Sequence, residues 1–276
     1  MRNFSQNYYT KPFIFGKTSP LKYISSGSNK IIKRLTVLQS KSRERKKQQC
    51  FVIEGNRELS RAMEMGYSLE TIFYREDTGI ELIDKDFDAC YEVSAKLFDR
   101  ISIRSGSEEV LAIVKTINHG LENLDINLKS KILVLESPEK PGNIGPILRT
   151  AAAAGVDAVI IADPKTDLYH PNIIRNSLGG VFSIPVAMET SHNVISFLKK
   201  NNFNIIATAL INKAKHYKRV KYEKPFALVF GSEEKGLDNI WIKIANQVVK
   251  IPVKFPIDSL NLSVSAGVLI YHCVES

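Results

Sequence analysis

The chain has 276 residues, 44% of them hydrophobic, which is enough to bury a full core and excludes wholesale disorder. Its 38 Lys and Arg against 29 Asp and Glu leave a net charge of +9, and the excess is local: nine basic residues precede the first acidic one, Glu44, whereas residues 44–276 sum to zero. No apolar run reaches the roughly 18 residues of a membrane span. Three scattered cysteines and five scattered histidines support neither a disulfide framework nor a metal site, so no membrane partner and no metal are expected.

Residues 1–27 mix Asn, Ser, Tyr, Phe and Lys with Pro12, Pro20 and Gly27, without apolar periodicity, and predict an irregular basic tail. Such a tail suits a solvated terminus, an organelle-targeting segment or an arm that touches nucleic acid. From Asn29 to Lys47, Ile31, Ile32, Leu35 and Leu38 recur at helical spacing among basic residues, which predicts a basic amphipathic helix. Lys30, Lys33, Arg34, Arg43, Arg45 and Lys46 on it are candidate RNA contacts. Most of any salt-dependent attraction to RNA is expected from residues 1–47. Strands follow at Cys50 to Ile53, Thr71 to Tyr74, Ala89 to Val93 and Val110 to Ile117, with helices over Asn56 to Met65, stopped by Gly66, and Ala95 to Ile101. The alternation predicts a small α/β domain over 28–117. The polar residues 118–130 are expected to be a linker.

Beyond it the strands become longer and more apolar: Ile132 to Leu135, Ala158 to Ile161, Val181 to Val186, Ile205 to Leu210, Ala227 to Phe230 and Val248 to Pro252. Such strands separated by helical stretches predict a parallel sheet covered on both faces over 131–276. Ligands sit beyond the C-terminal ends of strands in such sheets, which directs attention to the loops after Leu135, Phe230 and Pro252. In the first, Pro146 suits an opening helical turn and Gly155 its end, so Arg149 is expected near a helix start with free N–H groups, a place suited to phosphate. The second, Gly231 to Leu237, has Leu237 where a phosphate loop needs Lys, and no G-x-G-x-x-G follows any strand, which argues against nucleotide hydrolysis and dinucleotide binding. In the third, Asn261 suits the N-cap of a helix rich in small residues. Arg149, Arg175, Lys213 and Lys215 are local positive groups of this half, and Arg175 joins the candidate RNA contacts.

Asn143-x-Gly145-x-x-x-Arg149 with Gly155, Leu228-Val229-Phe230-Gly231-Ser232-Glu233-x-x-Gly236-Leu237, and Ile251-Pro252 with Ser259-Leu260-Asn261-Leu262-Ser263 occur in the order and spacing of three motifs. They resemble the signature motifs of the SpoU-type RNA ribose 2′-O-methyltransferases. Residues 28–115, with Phe51-Val52-Ile53-Glu54-Gly55, resemble the ribosomal-protein-like RNA-binding domain that many members carry. The resemblance implies a parallel-sheet α/β domain of five or six strands with a trefoil knot, a homodimer whose active site is completed across the interface, and S-adenosyl-L-methionine as cofactor. It implies cofactor contacts at Gly231, Glu233, Ile251, Ser259 and Leu260, and catalytic roles for Arg149, Asn143 and Asn261. It favours ribosomal over transfer RNA and a cytoplasmic location, or an organellar one if residues 1–22 are a targeting segment. Phe255 stands where many members have glycine, so a positive φ there would be strained. A non-catalytic RNA-binding or ribosome-associated protein that has lost turnover is the alternative.

Overall fold

The computed structural model describes residues 22–78, 87–103 and 109–275, and the chain divides into two units, Met1–Thr116 and Ile117–Ser276. Most of the tail expected to be irregular lies outside the described residues, but its end, Lys22–Ile24, forms strand β1. Then come helices α1 (Lys30–Ser40) and α2 (Ser42–Gln48), β2 (Cys50–Glu54), α3 (Asn56–Glu64), β3 (Leu69–Arg75), β4 (Ala89–Val93), α4 (Ala95–Ile101) and β5 (Val110–Lys115). The sheet of this first unit has the order β1-β4-β3-β5-β2. It is mixed: β1 and β3 run parallel to β4, while β5 is antiparallel to β2 and β3.

The single helix expected over Asn29 to Lys47 is therefore two. Lys41 is extended between them, with φ −117° and ψ 105°. Arg45 is the physical reason. It is buried, and its guanidinium Nη1 donates to the carbonyls of Leu38 at 2.7 Å and Gln39 at 3.1 Å. These are end-of-helix acceptors with no partner in α1, and a charged hydrogen bond to one contributes about 1.5–3 kcal/mol. Ile32, Leu35 and Leu38 pack with Val52, Phe73, Leu97, Phe98 and Ile113 in the core of the unit.

The second unit holds β6 (Lys131–Glu136), α5 (Pro141–Ala154), β7 (Ala158–Ala162), α6 (Pro171–Ser177), α7 (Gly180–Ser183), β8 (Val186–Glu189), α8 (Ser191–Lys200), β9 (Asn204–Thr208), β10 (Lys215–His216), β11 (Phe226–Phe230), α9 (Asn239–Ile244), β12 (Gln247–Lys250) and α10 (Leu262–Glu275). Its sheet runs β10-β12-β9-β11-β6-β7-β8, and every pairing is parallel. It has seven strands rather than five or six, β10 being only two residues long. Ile132, Val134, Ile160, Ile205, Ala227 and Val229 face a core completed by Val194 and Leu198 of α8 and by Trp241. The alternate residues Leu133, Leu135, Val159, Ile161, Ile206 and Leu228 are buried as well, which is why these strands read as continuous apolar runs.

The strand expected from Val181 to Val186 is instead a helical turn, with the strand starting only at Val186. Gly179 has a φ of 79°, and a Cβ on Gly180 would lie 2.9 Å from the Cα of Arg149, so this segment is pressed against the backbone of α5. A short apolar run carries no periodicity that separates the two outcomes.

The stretch expected to be a linker is partly structured, with a 3-10 turn at Leu121–Asn123. His119 is buried; its Nδ1 donates to the Val186 carbonyl at 2.7 Å, which leaves Nε2 to accept from the Tyr169 hydroxyl at 2.7 Å. Burial holds its pKa below the ordinary value of 6.5. The unfolded chain thus takes up a proton at a higher pH than the folded one. This stabilisation is fully present above the unfolded pKa and is lost as pH falls through the lowered folded value. Urea unfolding is expected to show stability declining below about pH 6.5, with His119→Gln flattening that dependence. Identical pH profiles for the two proteins would refute it.

Candidate active site

Strands β7 and β8 extend the sheet to one side of β6, whereas β11, β9 and β12 lie on the other. The order in which strands are added thus reverses beside β6, the place where open parallel sheets bind ligands. A cleft of about 680 Å³ opens there, at the C-terminal ends of β6, β9, β11 and β12. All five residues expected to hold the cofactor line it, namely Gly231, Glu233, Ile251, Ser259 and Leu260, together with Asn143 and Asn261.

Asn143 lies in the first turn of α5, and Asn261 immediately precedes α10. The Asn261 side-chain oxygen accepts from the backbone N–H of Ser263 at 2.9 Å and from its hydroxyl at 2.6 Å. This caps α10 and contributes about 1 kcal/mol. With that oxygen committed, the Asn261 amide nitrogen donates to Asn143 Oδ1 at 3.0 Å, and Asn143 Nδ2 donates to the Glu233 carboxylate. Three loops far apart in sequence are joined by one hydrogen-bonded row.

The second loop is a closed ring. Ser232 N–H donates to the Gly236 carbonyl at 3.1 Å, and Gly236 N–H returns to Ser232 at 3.0 Å. Gly236 has a φ of 67°, and a Cβ on Gly231 would fall 2.1 Å from the Gly236 carbonyl carbon and oxygen. Both glycines are needed, one for its dihedral and one for closeness.

Arg149 differs from expectation. The helix begins at Pro141, so Arg149 is its ninth residue, in the third turn, and Pro146 lies inside the helix. Pro141 fills the first-turn position, and the Asn143 and Ile144 amides already bond back to Lys140. Arg149 is exposed and does not line the cleft. No hydrogen bond or ion pair engages it among the described residues. Phe255 is 95% exposed and has no positive φ, so the strain foreseen for it is not present.

Of the candidate RNA contacts, Lys30, Lys33, Arg43, Lys46 and Arg175 are exposed. Arg45 is the buried helix clasp described above. Arg34 forks onto Glu70, holding that carboxyl below its usual range, and also donates to Gln48 at 2.8 Å. Both arginines are spent inside the unit.

Sequence reasoning passed over the loop after β9, whose Thr208, Ala209, Leu210 and Ile211 line the cleft. Its only signal was its place at the end of a strand. It also missed Glu136, a buried carboxylate that accepts from the Asp238 N–H at 2.9 Å and so ties the end of β6 to the second loop. Burial pushes its pKa up.

The cleft falls within the roughly 300–1,000 Å³ of small-molecule sites. Its walls include Phe230, Leu237, Ile242 and Leu269, and its polar side chains are the amides of Asn143 and Asn261, the hydroxyls of Thr208, Ser232, Ser259 and Ser265, the Glu233 carboxylate and three lysines, Lys140, Lys235 and Lys250. The apolar walls suit a flat ring, the amides and hydroxyls suit a ligand's hydroxyls, and Glu233 with the lysines suits a ligand that carries charges of both signs, a combination that fits S-adenosylmethionine. Among the described residues, no group of three or more His, Cys, Asp or Glu is arranged to hold a metal. No helix among them is long and apolar enough to cross a membrane.

Residues 130–271 match the model of the SpoU rRNA Methylase family, and residues 29–112 match the MRM3-like substrate binding domain. The chain is 28% identical, over 91% of its length and 99% of the relative's, to the 23S rRNA (guanosine(2553)-2′-O)-methyltransferase RlmP of Bacillus subtilis. Among solved structures it is similar to an AdoMet-bound rRNA methyltransferase from Sinorhizobium meliloti, with a TM-score of 0.83 and 25% identity, covering 92% of this chain and 98% of that one. An RNA 2′-O ribose methyltransferase is similar over the same shares, with a TM-score of 0.78 and 33% identity.

Proposed function

This chain belongs to the SpoU rRNA methylase family, and from that premise we infer that it transfers the methyl group of S-adenosylmethionine to a ribose 2′-hydroxyl of ribosomal RNA. The observation that carries the reading is the convergence of the three motif loops on one cleft, joined through Asn143, Asn261 and Glu233. When bound, the cofactor supplies an activated sulfonium methyl; the protein has to align the hydroxyl and help it lose its proton.

The closed loop from Gly231 to Gly236 and the third loop around Ser259 and Leu260 hold the cofactor, largely through main-chain groups. Asn143 and Asn261 fix the two loops against each other, and Glu233 steadies the second. Arg149 positions the RNA phosphate and polarises the attacking hydroxyl. A guanidinium stays charged at neutral pH, so this role suits it better than that of a base. Exposed Lys30, Lys33, Arg43, Lys46 and Arg175 contact RNA phosphates.

The active form in this reading is a homodimer, in which Arg149 completes the cleft of the partner protomer. Two facts support it. Arg149 does not line the cleft of its own chain. Val264, Val268 and Tyr271 form an exposed apolar stripe on α10, and Phe255 and Ile257 in the loop that precedes it are exposed as well, apolar surface that a second copy would cover. A knotted path for the C-terminal segment belongs to the same reading; its support is that residues from Ile251 to Leu262 share the cleft with the loops after β6 and β11. So does a cytoplasmic site of action, supported by the bacterial rRNA-modifying relative.

Calorimetric titration of S-adenosylmethionine into the protein tests the function. Saturable binding at one site per chain is expected. Absence of binding alongside intact RNA binding would leave the non-catalytic alternative.

A further inference from the structure

Residues 213–224 read Lys-Ala-Lys-His-Tyr-Lys-Arg-Val-Lys-Tyr-Glu-Lys, with six basic side chains and one acidic, in a region whose charge from residue 44 onward sums to zero. Every one of those six cations is exposed, and none makes an ion pair among the described residues. An uncompensated charge of +5 over twelve residues is an electrostatic footprint, not the mixed charge of an ordinary surface.

The backbone that carries these cations is held firmly. Ala214 is buried, β10 pairs with β12, and the Gln247 side chain donates to the Lys221 carbonyl at 3.2 Å. Tyr222 is buried and donates its hydroxyl to the Tyr217 carbonyl at 2.8 Å. Both tyrosine rings meet His272 of α10 edge-on, at centroid distances of 5.0 Å for Tyr217 and 5.5 Å for Tyr222. The strap is thus a tethered backbone that presents exposed basic side chains.

It begins at the cleft. Ile211 lines the cavity two residues before Lys213, and Lys250, another lining residue, donates to the Ile211 carbonyl at 3.3 Å while pairing in register with His216. A row of cations leading away from a cavity where a ribose must be presented suits the phosphates on either side of that ribose. Base readout is not its role: one face of Tyr217 stacks on His216 at 5.0 Å, and the Lys218 ammonium lies 5.7 Å from the same ring.

We propose that the strap from Lys213 to Lys224 is a phosphate-binding surface of the catalytic unit that guides the RNA strand to the cleft, separate from the basic first helices. The proposal rests on the methyltransferase reading above. The test uses the full chain, with Lys218→Ala, Arg219→Ala, Lys221→Ala and Lys224→Ala combined, and a protein-free, unmodified rRNA transcript as probe. Loss of four phosphate contacts is expected to lower the slope of log affinity against log salt by about 3. KM for the transcript rises at least tenfold, while kcat at saturating RNA, cofactor affinity and the thermal midpoint stay at wild-type values. Replacing the three lysines by Arg keeps the slope. An unchanged slope and KM in the alanine variant, with wild-type protein methylating normally, overturns the strap alone. That outcome would also be the one produced by a surface made for an acidic protein. A wild-type protein that neither binds nor methylates the transcript overturns the underlying reading with it.

Discussion

Arg149→Ala is expected to leave S-adenosylmethionine affinity within a few-fold of wild type and to lower methyl transfer to RNA by about 10²- to 10⁴-fold, the range for removing one positioned acid–base or charge-stabilising group. The separation follows from where the residue sits. Arg149 is outside the set of residues lining the cleft, so the cofactor loses no wall when the side chain is cut back. It is exposed, with no hydrogen bond or ion pair to lose among the described residues, so folding is expected to be untouched to within about 0.5 kcal/mol. Its backbone matters more to the fold than its side chain, because Gly180 packs against its Cα. Single-turnover methylation measured beside calorimetry decides the matter: a variant that methylates at the wild-type rate removes Arg149 from the chemistry. Mixing it with an Asn261→Ala protein adds a second reading. If each site draws Arg149 from the partner, the mixture regains activity that neither variant has alone, since some heterodimers then contain one intact site.

How much of this was legible in the sequence depended on the range of the interaction concerned. The runs Ile132 to Leu135 and Ala227 to Phe230 announce β6 and β11 because burial on both faces demands apolar residues at every position. Gly155 announces the end of α5, with a φ of 71°, because few other residues take that conformation cheaply. The break at Lys41 was not legible, since it depends on Arg45 folding back onto the carbonyls of α1, and a basic residue on a basic helix looks like solvent-facing charge. The same blindness made Arg34 and Arg45 look available to RNA. The start of α5 was misplaced because Pro141 and Pro146 both suit a first turn and local pattern offers no choice between them. At the cleft, the motifs direct attention to three of the loops that line it, but the bond from Asn261 to Asn143 spans 118 residues and no local spacing encodes it. Thr208 to Ile211 carry neither glycine nor proline and no charge, so nothing in the segment marked the fourth wall of the cleft.

Gly231→Ala is the substitution expected to damage cofactor binding most. A Cβ at this position would lie 2.1 Å from the Gly236 carbonyl carbon and oxygen and 2.2 Å from the Leu237 nitrogen, and real Cβ contacts do not go below about 3 Å. The obstacles are backbone atoms, so no side chain can swing aside to make room. Neither end of the loop can yield easily. Phe230 is the last residue of a buried strand between β6 and β9; Leu237 is packed in the core, and the next amide, of Asp238, is held by Glu136. The strain therefore falls on the ring itself, opening the paired bonds between Ser232 and Gly236 and moving Glu233 away from Asn143. Forcing one methyl into a packed site costs about 1–3 kcal/mol. If that cost is recovered only by abandoning the bound geometry, S-adenosylmethionine affinity falls about 10- to 100-fold. The loop opens locally, so the urea midpoint should fall by less than the binding free energy does. Calorimetry and denaturation on the same preparation separate the two. Wild-type affinity in the variant would mean that the closed ring is not the conformation that holds the cofactor; a collapse of the whole unit would mean that its closure is part of the core.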